Sequence, residues 1–494
     1  MNFAIIKRTL GWILLFVAIF FTVPLIAAAV FWEAEFFTFL TAMLICGGLG
    51  GLCLIGKPKS TVMYAKEGFI IVSLGWIVIS LVGALPFFLS GAIPNYIDAL
   101  FETVSGFSTT GASILCGAQI EGMAKSLLLW RSFTHWVGGM GVLVLIMAFL
   151  PLGGARNVHM LSAESTGASV SKLLPKMRQT AIVLYAIYLA LTLAEFIILL
   201  CGGMDAFTAL NTAFATAGTG GFTITGDGIG GHSAFIQIVV TVFMLLFSIN
   251  FTSYYLLLRG KVKDAFNAEV RAFLIIVAVA IAIITFNLCL VNQFDSFGET
   301  LRQAAFNVAS IISTTGFGTV DFNLWPTFSK VILVVLMFIG ACAGSTGGGM
   351  KVSRWLVLGK GASHEVRRML HPKQVKKISM DGKLVSHEVV RSINAYLVAY
   401  IFVFVLSLLL ICLDGGALNA ALSSGGSANA FETAFTSVAS ALNNIGPGLG
   451  GVGPMENFSN FSVLSKIVFM FDMLAGRLEI FPMLILFAPT TWRK

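Results

Sequence analysis

The 494-residue sequence predicts an all-α polytopic membrane fold: four pseudo-repeated span–hairpin–span units around a central pore, preceded by two extra N-terminal spans. Three observations predict it. The composition is 57% hydrophobic and only 11% charged, less than half the roughly 25% charge of an average soluble domain. Apolar stretches of about 20 residues, the length that crosses a hydrocarbon core, recur along the chain. A short semi-polar helix followed by a Gly/Thr-rich turn recurs four times between such stretches.

Ten spans are expected, at 10–32, 37–55, 68–90, 128–151, 180–201, 234–258, 272–291, 328–343, 393–413 and 463–489. The first follows Lys7 and Arg8 as a secretory signal would, but it exceeds the roughly 7–15 apolar residues of one. Basic residues set the orientation. Lys7 and Arg8 lead, then Lys57, Lys59 and Lys66, and then Arg156, Lys172, Lys176 and Arg178. Arg259, Lys261, Lys263 and Arg271 follow, then the segment 351–391, and last Arg493 and Lys494. Together these segments hold 25 of the 31 Lys and Arg. Two spans separate each from the next, so all share one side, which the positive-inside rule makes cytoplasmic together with both termini. Charges confined to short loops also remove nucleic acid as the reason for the net charge of +8.

The repeats divide the chain into 1–60 (two accessory helices), 61–155 (repeat 1), 156–262 (repeat 2), 263–360 (repeat 3 with a Gly-rich loop) and 361–494 (a basic segment and repeat 4). The hairpins end at Gly111, Gly221, Gly316 and Gly446, which are 110, 95 and 130 residues apart. Thr109-Thr-Gly111 and Thr314-Thr-Gly316 are identical. Val308-Ala-Ser and Val438-Ala-Ser both begin eight residues before their glycine. Irregular backbone at membrane depth must be buried in protein or line a water-filled path. Four copies therefore suggest four turns about one axis, with glycine allowing carbonyls to point inward. Rings of carbonyls can replace the hydration shell of a monovalent cation, and helices ending there direct partial negative charge at it. No carboxylate lies within 108–113, 218–223, 313–318 or 443–448, which suits K⁺ better than Ca²⁺.

Two further features stand out. Gly340-Ala-Cys-Ala-Gly-Ser-Thr-Gly-Gly-Gly-Met-Lys351 interrupts the eighth span, since each glycine costs about 1 kcal/mol relative to alanine in a helix. Arg477 lies deep in the tenth, either in an ion pair with Asp472 or Glu479 or facing a cavity. Other charges read more plainly. Lys125, Lys330 and Lys466 are placed to snorkel, and Arg131 and His135, one helical turn apart, to make packing or capping contacts. Glu195, Asp472 and Glu479 are the acids expected to be buried. Seven scattered cysteines without a CxxC read as packing residues, and the six histidines show no zinc spacing.

The chain resembles the Trk/Ktr/HKT superfamily of potassium transporters, most closely its TrkH branch. Thr109-Thr-Gly111-Ala, Thr219-Gly-Gly221-Phe, Thr314-Thr-Gly316-Phe and Asn443-Asn-Ile-Gly446-Pro-Gly-Leu-Gly450 carry the resemblance over essentially the whole length. The two leading spans also look like TrkH, whereas Gly218-Thr219 departs from the family's usual Ser-Thr. The resemblance implies a central ion pore with a K⁺ filter built of Thr109, Thr110, Gly111, Thr219, Gly220, Gly221, Thr314, Thr315, Gly316, Asn444, Ile445 and Gly446. A serine at the first filter glycine would mark Na⁺ preference. The resemblance also implies a gate of Gly344, Ser345, Thr346, Gly347, Gly348 and Gly349 with Arg477 in the pore beneath the filter. It further implies a homodimer in the cytoplasmic membrane, resting on a TrkA-type nucleotide-binding ring. This chain has no P-loop or strand-placed GxGxxG of its own, so any nucleotide control would come from that partner. The basic segment 351–391 would meet the ring or anionic lipid headgroups. No organic cofactor is implied.

Two other classes fit less well. A broken-helix secondary transporter, coupling a cation gradient to solute uptake, would need inverted repeats and midplane carboxylates. An enzyme would need a cluster of His, Asp, Glu and Ser at one membrane face, and the sequence offers none.

Overall fold

A computed structural model describes residues 1–56, 64–141, 177–371, 378–423 and 429–492. These residues are mostly helical; the sheet among them is one antiparallel pair, Ser379–Met380 with Lys383–Leu384. Among the described residues, six helices are long and apolar enough to cross a membrane: Phe3–Val30, Glu35–Leu54, Lys66–Leu89, Gln179–Cys201, Ala268–Leu290 and His387–Leu413. The second half of the expected fourth span lies outside the described residues, as do Lys57, Lys59, Arg156, Lys172, Lys176, Lys373, Lys376, Lys377, Arg493 and Lys494.

Three expected spans are broken. The sixth bends by 91° between Ala234–Phe247 and Phe251–Leu258, where Asn250 caps the second half by accepting from the Thr252 N–H at 2.8 Å. The eighth stops at Thr327–Ile339, leaves the helix at Gly340–Lys351 and resumes at Val352–Leu370. The tenth ends at Arg477, passes through Glu479 and Ile480 at positive φ, and restarts at Phe481–Phe487. Pro482, lacking an N–H, sits in the first turn of that restart, where it costs nothing.

Four hairpin helices stand between the spans: Tyr96–Phe107, Ala206–Gly218, Phe297–Ile312 and Ala430–Asn443. Each begins at a polar cap, Asn95, Asp205, Ser296 and Asn429, whose side chain accepts a backbone N–H of the first turn. Each is almost entirely buried at its C-terminal end. The packing order is cyclic. The second hairpin helix packs on Lys125–Gly139, the third on Ala234–Phe247, the fourth on Thr327–Ile339 and the first on Val463–Arg477. Every hairpin thus lies against the outgoing helix of the preceding unit, and the first closes on the last.

Phe3–Phe20 and Glu35–Leu54 pack on each other, and Phe3–Phe20 also on Ala65–Gly83. The Glu33 carboxylate between them caps the helix after the first turn, accepting from the Lys125 N–H at 2.7 Å and the Ser126 N–H at 3.0 Å. Both chain ends meet on one face: the Asn2 N–H reaches Glu67 at 3.3 Å and Lys66 reaches the Thr490 carbonyl at 3.1 Å. Large apolar side chains such as Phe37, Phe286 and Leu413 point outward, as a lipid-facing surface requires. Lys466 does not snorkel; it is buried and pairs with Asp98 at 2.7 Å. Lys330 faces Glu432 at 3.7 Å, and Lys125 lies over the Phe31 ring at 4.4 Å. All seven cysteines are free, with Cys46 and Cys342 buried.

Candidate functional site: four turns, a loop and an arginine

The four Gly/Thr-rich turns share one backbone conformation. φ is positive at Thr109 (57°) and Gly111 (78°), at Thr219 (52°) and Gly221 (77°), at Thr314 (60°) and Gly316 (81°), and at Asn444 (56°) and Gly446 (103°). The turns also meet in a closed circuit. A Cβ on Gly111 would collide with the Gly220 carbonyl, one on Gly221 with that of Thr315, and one on Gly316 with that of Ile445. On Gly446 it would stand 2.8 Å from the Thr110 carbonyl oxygen. Each glycine abuts the carbonyl that precedes the next glycine, so any side chain there would enter the circuit itself. The twelve residues read from the sequence are therefore brought together: Thr109, Thr110, Gly111, Thr219, Gly220, Gly221, Thr314, Thr315, Gly316, Asn444, Ile445 and Gly446. All four glycines line an outer bowl whose rim carries Asp227 and Glu456. Burial, and then the neighbouring Asp321 carboxylate, push the Glu456 carboxyl above its ordinary range. Arg131 lines the same bowl, so its side-chain charges are mixed, and what faces its centre from all four turns is carbonyl dipoles, a field that draws cations.

The loop 340–351 lies directly beneath. The Gly348 N–H donates to Thr314 Oγ1 at 2.6 Å, and a Cβ on Gly347 would stand 2.8 Å from the Ser313 carbonyl oxygen. Its outer side rests on the bend of the sixth span. The Cys342 N–H donates to the Ser248 carbonyl at 3.1 Å, Thr346 Oγ1 to the Phe247 carbonyl at 3.1 Å, and the Phe251 N–H to the Gly344 carbonyl at 3.0 Å. Arg477 fastens it from the opposite side, donating to the Thr346 carbonyl at 2.7 Å and to the Gly138 and Gly139 carbonyls at 2.5 Å each. Gly344, Ser345 and Arg477 line a cavity of about 820 Å³ on the inner side. Along one direction, the order is bowl, four turns, loop, cavity.

Three charged groups at this loop escape sequence reading. Lys351, counted with the cytoplasmic bases, is buried; its ammonium reaches the Gly347 carbonyl and, at 3.2 Å, that of Gly348. Glu269 ties the two ends of the loop together, accepting from the Ala343 N–H at 2.7 Å and the Ser353 N–H at 3.1 Å. Arg354 pairs with Glu479 and lies 3.9 Å over the Tyr396 ring. The acids expected to be buried therefore need correction: Glu67, Glu102 and Glu269 are buried alongside Glu195 and Asp472, whereas Glu479 is half-buried. Asp472 accepts from Ser407 Oγ at 2.7 Å. The only signal in the sequence for Lys351 was its position: it follows Gly-Gly-Gly-Met with no polar residue between. Arg131 and His135 lie behind the first and second turns; His135 bonds the Gly106 carbonyl at 2.8 Å, whereas Arg131 forms a buried ion pair with Glu102 at 2.8 Å that the sequence reading did not include.

The chain also matches known proteins over its length. Residues 35–494 match the family model TrkH, described as "Cation transport protein". The chain is 34% identical over 501 residues to the Trk system potassium uptake protein TrkH of Escherichia coli (strain K12), covering 100% of both. It is 31% identical over 477 residues to the Trk system potassium uptake protein TrkG of the same strain, covering 95% of both. Among solved structures, the crystal structure of the potassium transporter TrkH from Vibrio parahaemolyticus superposes with a TM-score of 0.86 at 32% identity, covering 100% of each chain. On the fold, the closed circuit of turns and these full-length matches, the chain belongs to the TrkH family of cation transport proteins, and it is a multi-pass membrane transporter.

Proposed function

We propose that this chain carries K⁺ into the cell across the cytoplasmic membrane, through the circuit of four turns acting as a selectivity filter. The observation that carries the reading is the circuit itself: each of four glycines abuts the carbonyl ahead of the next, at positive φ, with no carboxylate in any turn. Such a ring offers K⁺ dipoles in place of its hydration shell, and the buried C-termini of four hairpin helices add partial negative charge around it. Thr109 Oγ1, buried and without a partner among the described residues, is a further oxygen at the inner end of the ring.

The loop 344–349, Lys351 and Arg477 form the gate. As they stand, two cations lie just below the filter, where they repel an entering K⁺, and both hold the loop through its carbonyls. Opening requires Arg477 to leave Thr346. Arg354–Glu479 links the helix after the loop to the break after Arg477, so a pull on Val352–Leu370 reaches both halves of the gate. The source of that pull is a cytoplasmic nucleotide-binding ring of the TrkA type beneath a homodimer, with both termini on the ring's side. The names of the relatives, components of a "Trk system", support such a partner.

The test is K⁺ and Na⁺ flux into proteoliposomes holding the full chain, with and without the ring protein, beside Gly111→Ser. Gly111 has no room for a side chain, so the serine must distort the ring. The expected result is K⁺-selective flux whose preference over Na⁺ drops at least tenfold in the variant. Equal K⁺ and Na⁺ flux, unaltered by the substitution, would remove the four turns as the filter.

A further inference from the structure

The seams between adjacent turns are not alike. Between the second and third, the Ile229 N–H meets the Gly318 carbonyl at 3.0 Å. Between the third and fourth, the Asn323 amide exchanges two bonds with Gly450, at 2.9 and 3.2 Å. Between the fourth and first, Asn444 Nδ2 donates to Thr110 Oγ1 at 3.0 Å. These are neutral contacts. The seam between the first and second turns instead holds an ion pair, Glu102–Arg131, at 2.8 Å with both side chains buried.

Its contacts reach the backbone of both turns. Glu102, nine residues before Gly111, accepts from Ser113 Oγ at 2.9 Å and from the Ile114 N–H at 3.0 Å. Arg131 donates through Nε to Glu102 at 2.9 Å, through Nη2 to Ser113 Oγ at 3.4 Å and through Nη1 to the Thr223 carbonyl at 3.0 Å. Ser113 and Thr223 each stand two residues after a filter glycine. Phe222 lies between, its ring 4.1 Å from the guanidinium carbon and 4.2 Å from the His135 ring. His135 Nδ1 donates to the Gly106 carbonyl at 2.8 Å and Nε2 accepts from the Phe222 N–H at 3.3 Å, an arrangement that the neutral ring allows. The positions equivalent to Glu102 in the other units are Thr212, Asn307 and Ser437, so the charge belongs to the first unit alone.

A pair of buried charges is a poor device for stability, because apolar residues of similar volume do as well or better; its strength is in fixing one arrangement. Charge-assisted bonds are also roughly twice as strong as neutral ones. We propose that Glu102–Arg131 is a selectivity-determining brace that fixes the spacing of the first and second turns and so the fit of the carbonyl circuit to K⁺. The inference rests on the filter reading above. Arg131 and Glu102 act through Thr223, Ser113 and Ile114 and touch no ion; they are positioning residues.

The test uses the full chain in proteoliposomes, comparing Glu102→Gln, Ser113→Ala, Gly111→Ser and Ser329→Ala. Glutamine keeps the shape of Glu102 and removes its charge. Ser329→Ala deletes a buried hydroxyl that bonds Asn287 at 2.7 Å, away from the turns, and controls for destabilisation alone. The expected result is a K⁺/Na⁺ flux ratio lowered several-fold in Glu102→Gln, lowered less in Ser113→Ala and unchanged in Ser329→Ala. K⁺- and Na⁺-dependent shifts in Tm of the detergent-purified variants read the same preference whatever the state of the gate. If Gly111→Ser relaxes the preference and both brace variants leave it intact, the brace is overturned and the filter stands. If no variant alters it, the filter reading falls too. Should Glu102→Gln fail to fold, Ser113→Ala carries the decision alone.

Discussion

Thr109, Thr219 and Thr314 occupy left-handed backbone, with φ between 52° and 60°, a region that β-branched residues rarely enter. Strain of this kind costs about 1–3 kcal/mol per residue and persists because closure of the circuit imposes it. The glycines were legible in the sequence, since their spacing and lack of side chain fit a tight approach. The threonines were legible as participants but not as left-handed residues, because local preference argues the other way. Lys351 was hidden for another reason: counting bases by side treats every lysine as solvated, and only the folded loop shows its ammonium turned onto two carbonyls. Bonds from a charged group contribute about 1.5–3 kcal/mol each. Lys351 makes two such bonds, so replacing it with Met should shift the closed loop toward open by roughly 10²-fold or more. The expected outcome is higher K⁺ flux from partner-free proteoliposomes at an unchanged K⁺/Na⁺ ratio; flux equal to the parent chain would show that Lys351 does not hold the gate shut.

At the scale of elements, the hairpin helices owe their direction to their ends. Asn95, Asp205, Ser296 and Asn429 each satisfy a first-turn N–H, and the opposite ends are delivered to the circuit. Ser296→Ala removes the bond from the Glu299 N–H at 3.2 Å and should cost about 1 kcal/mol. Thermal unfolding of the purified chain measures it, and an unchanged Tm would mean that packing alone sets the helix start. The breaks in the sixth and tenth spans were invisible to hydropathy. Phe247-Ser-Ile-Asn250 and Leu478-Glu-Ile-Phe481 are apolar enough to read as continuous helix, and the loop docked against the first break is remote in sequence. The Gly-rich break in the eighth was legible because three glycines in a row oppose a helix by themselves.

For the molecule as a whole, the repeats predicted four quarter-units about an axis, and the cyclic packing of hairpins on neighbouring helices has that form. The role of the first two spans was not legible. They buttress the first unit, with Glu33 capping the helix at Lys125 and with Phe21 and Phe39 against Trp130 at 4.7 and 6.5 Å between ring centroids. Among the described residues, the quarters differ most in what lies beneath them: the third supplies the loop 340–351, and one guanidinium from the fourth bonds it. Four separate shutters would produce graded currents as each swung free. Under the gate proposed above, a single shutter leaves an individual pathway two levels, fully conducting or silent. Recordings from single molecules in a planar bilayer should show one unitary current per pathway, without quarter steps and with a single rate for each transition; intermediate levels would mean that the other three quarters move on their own.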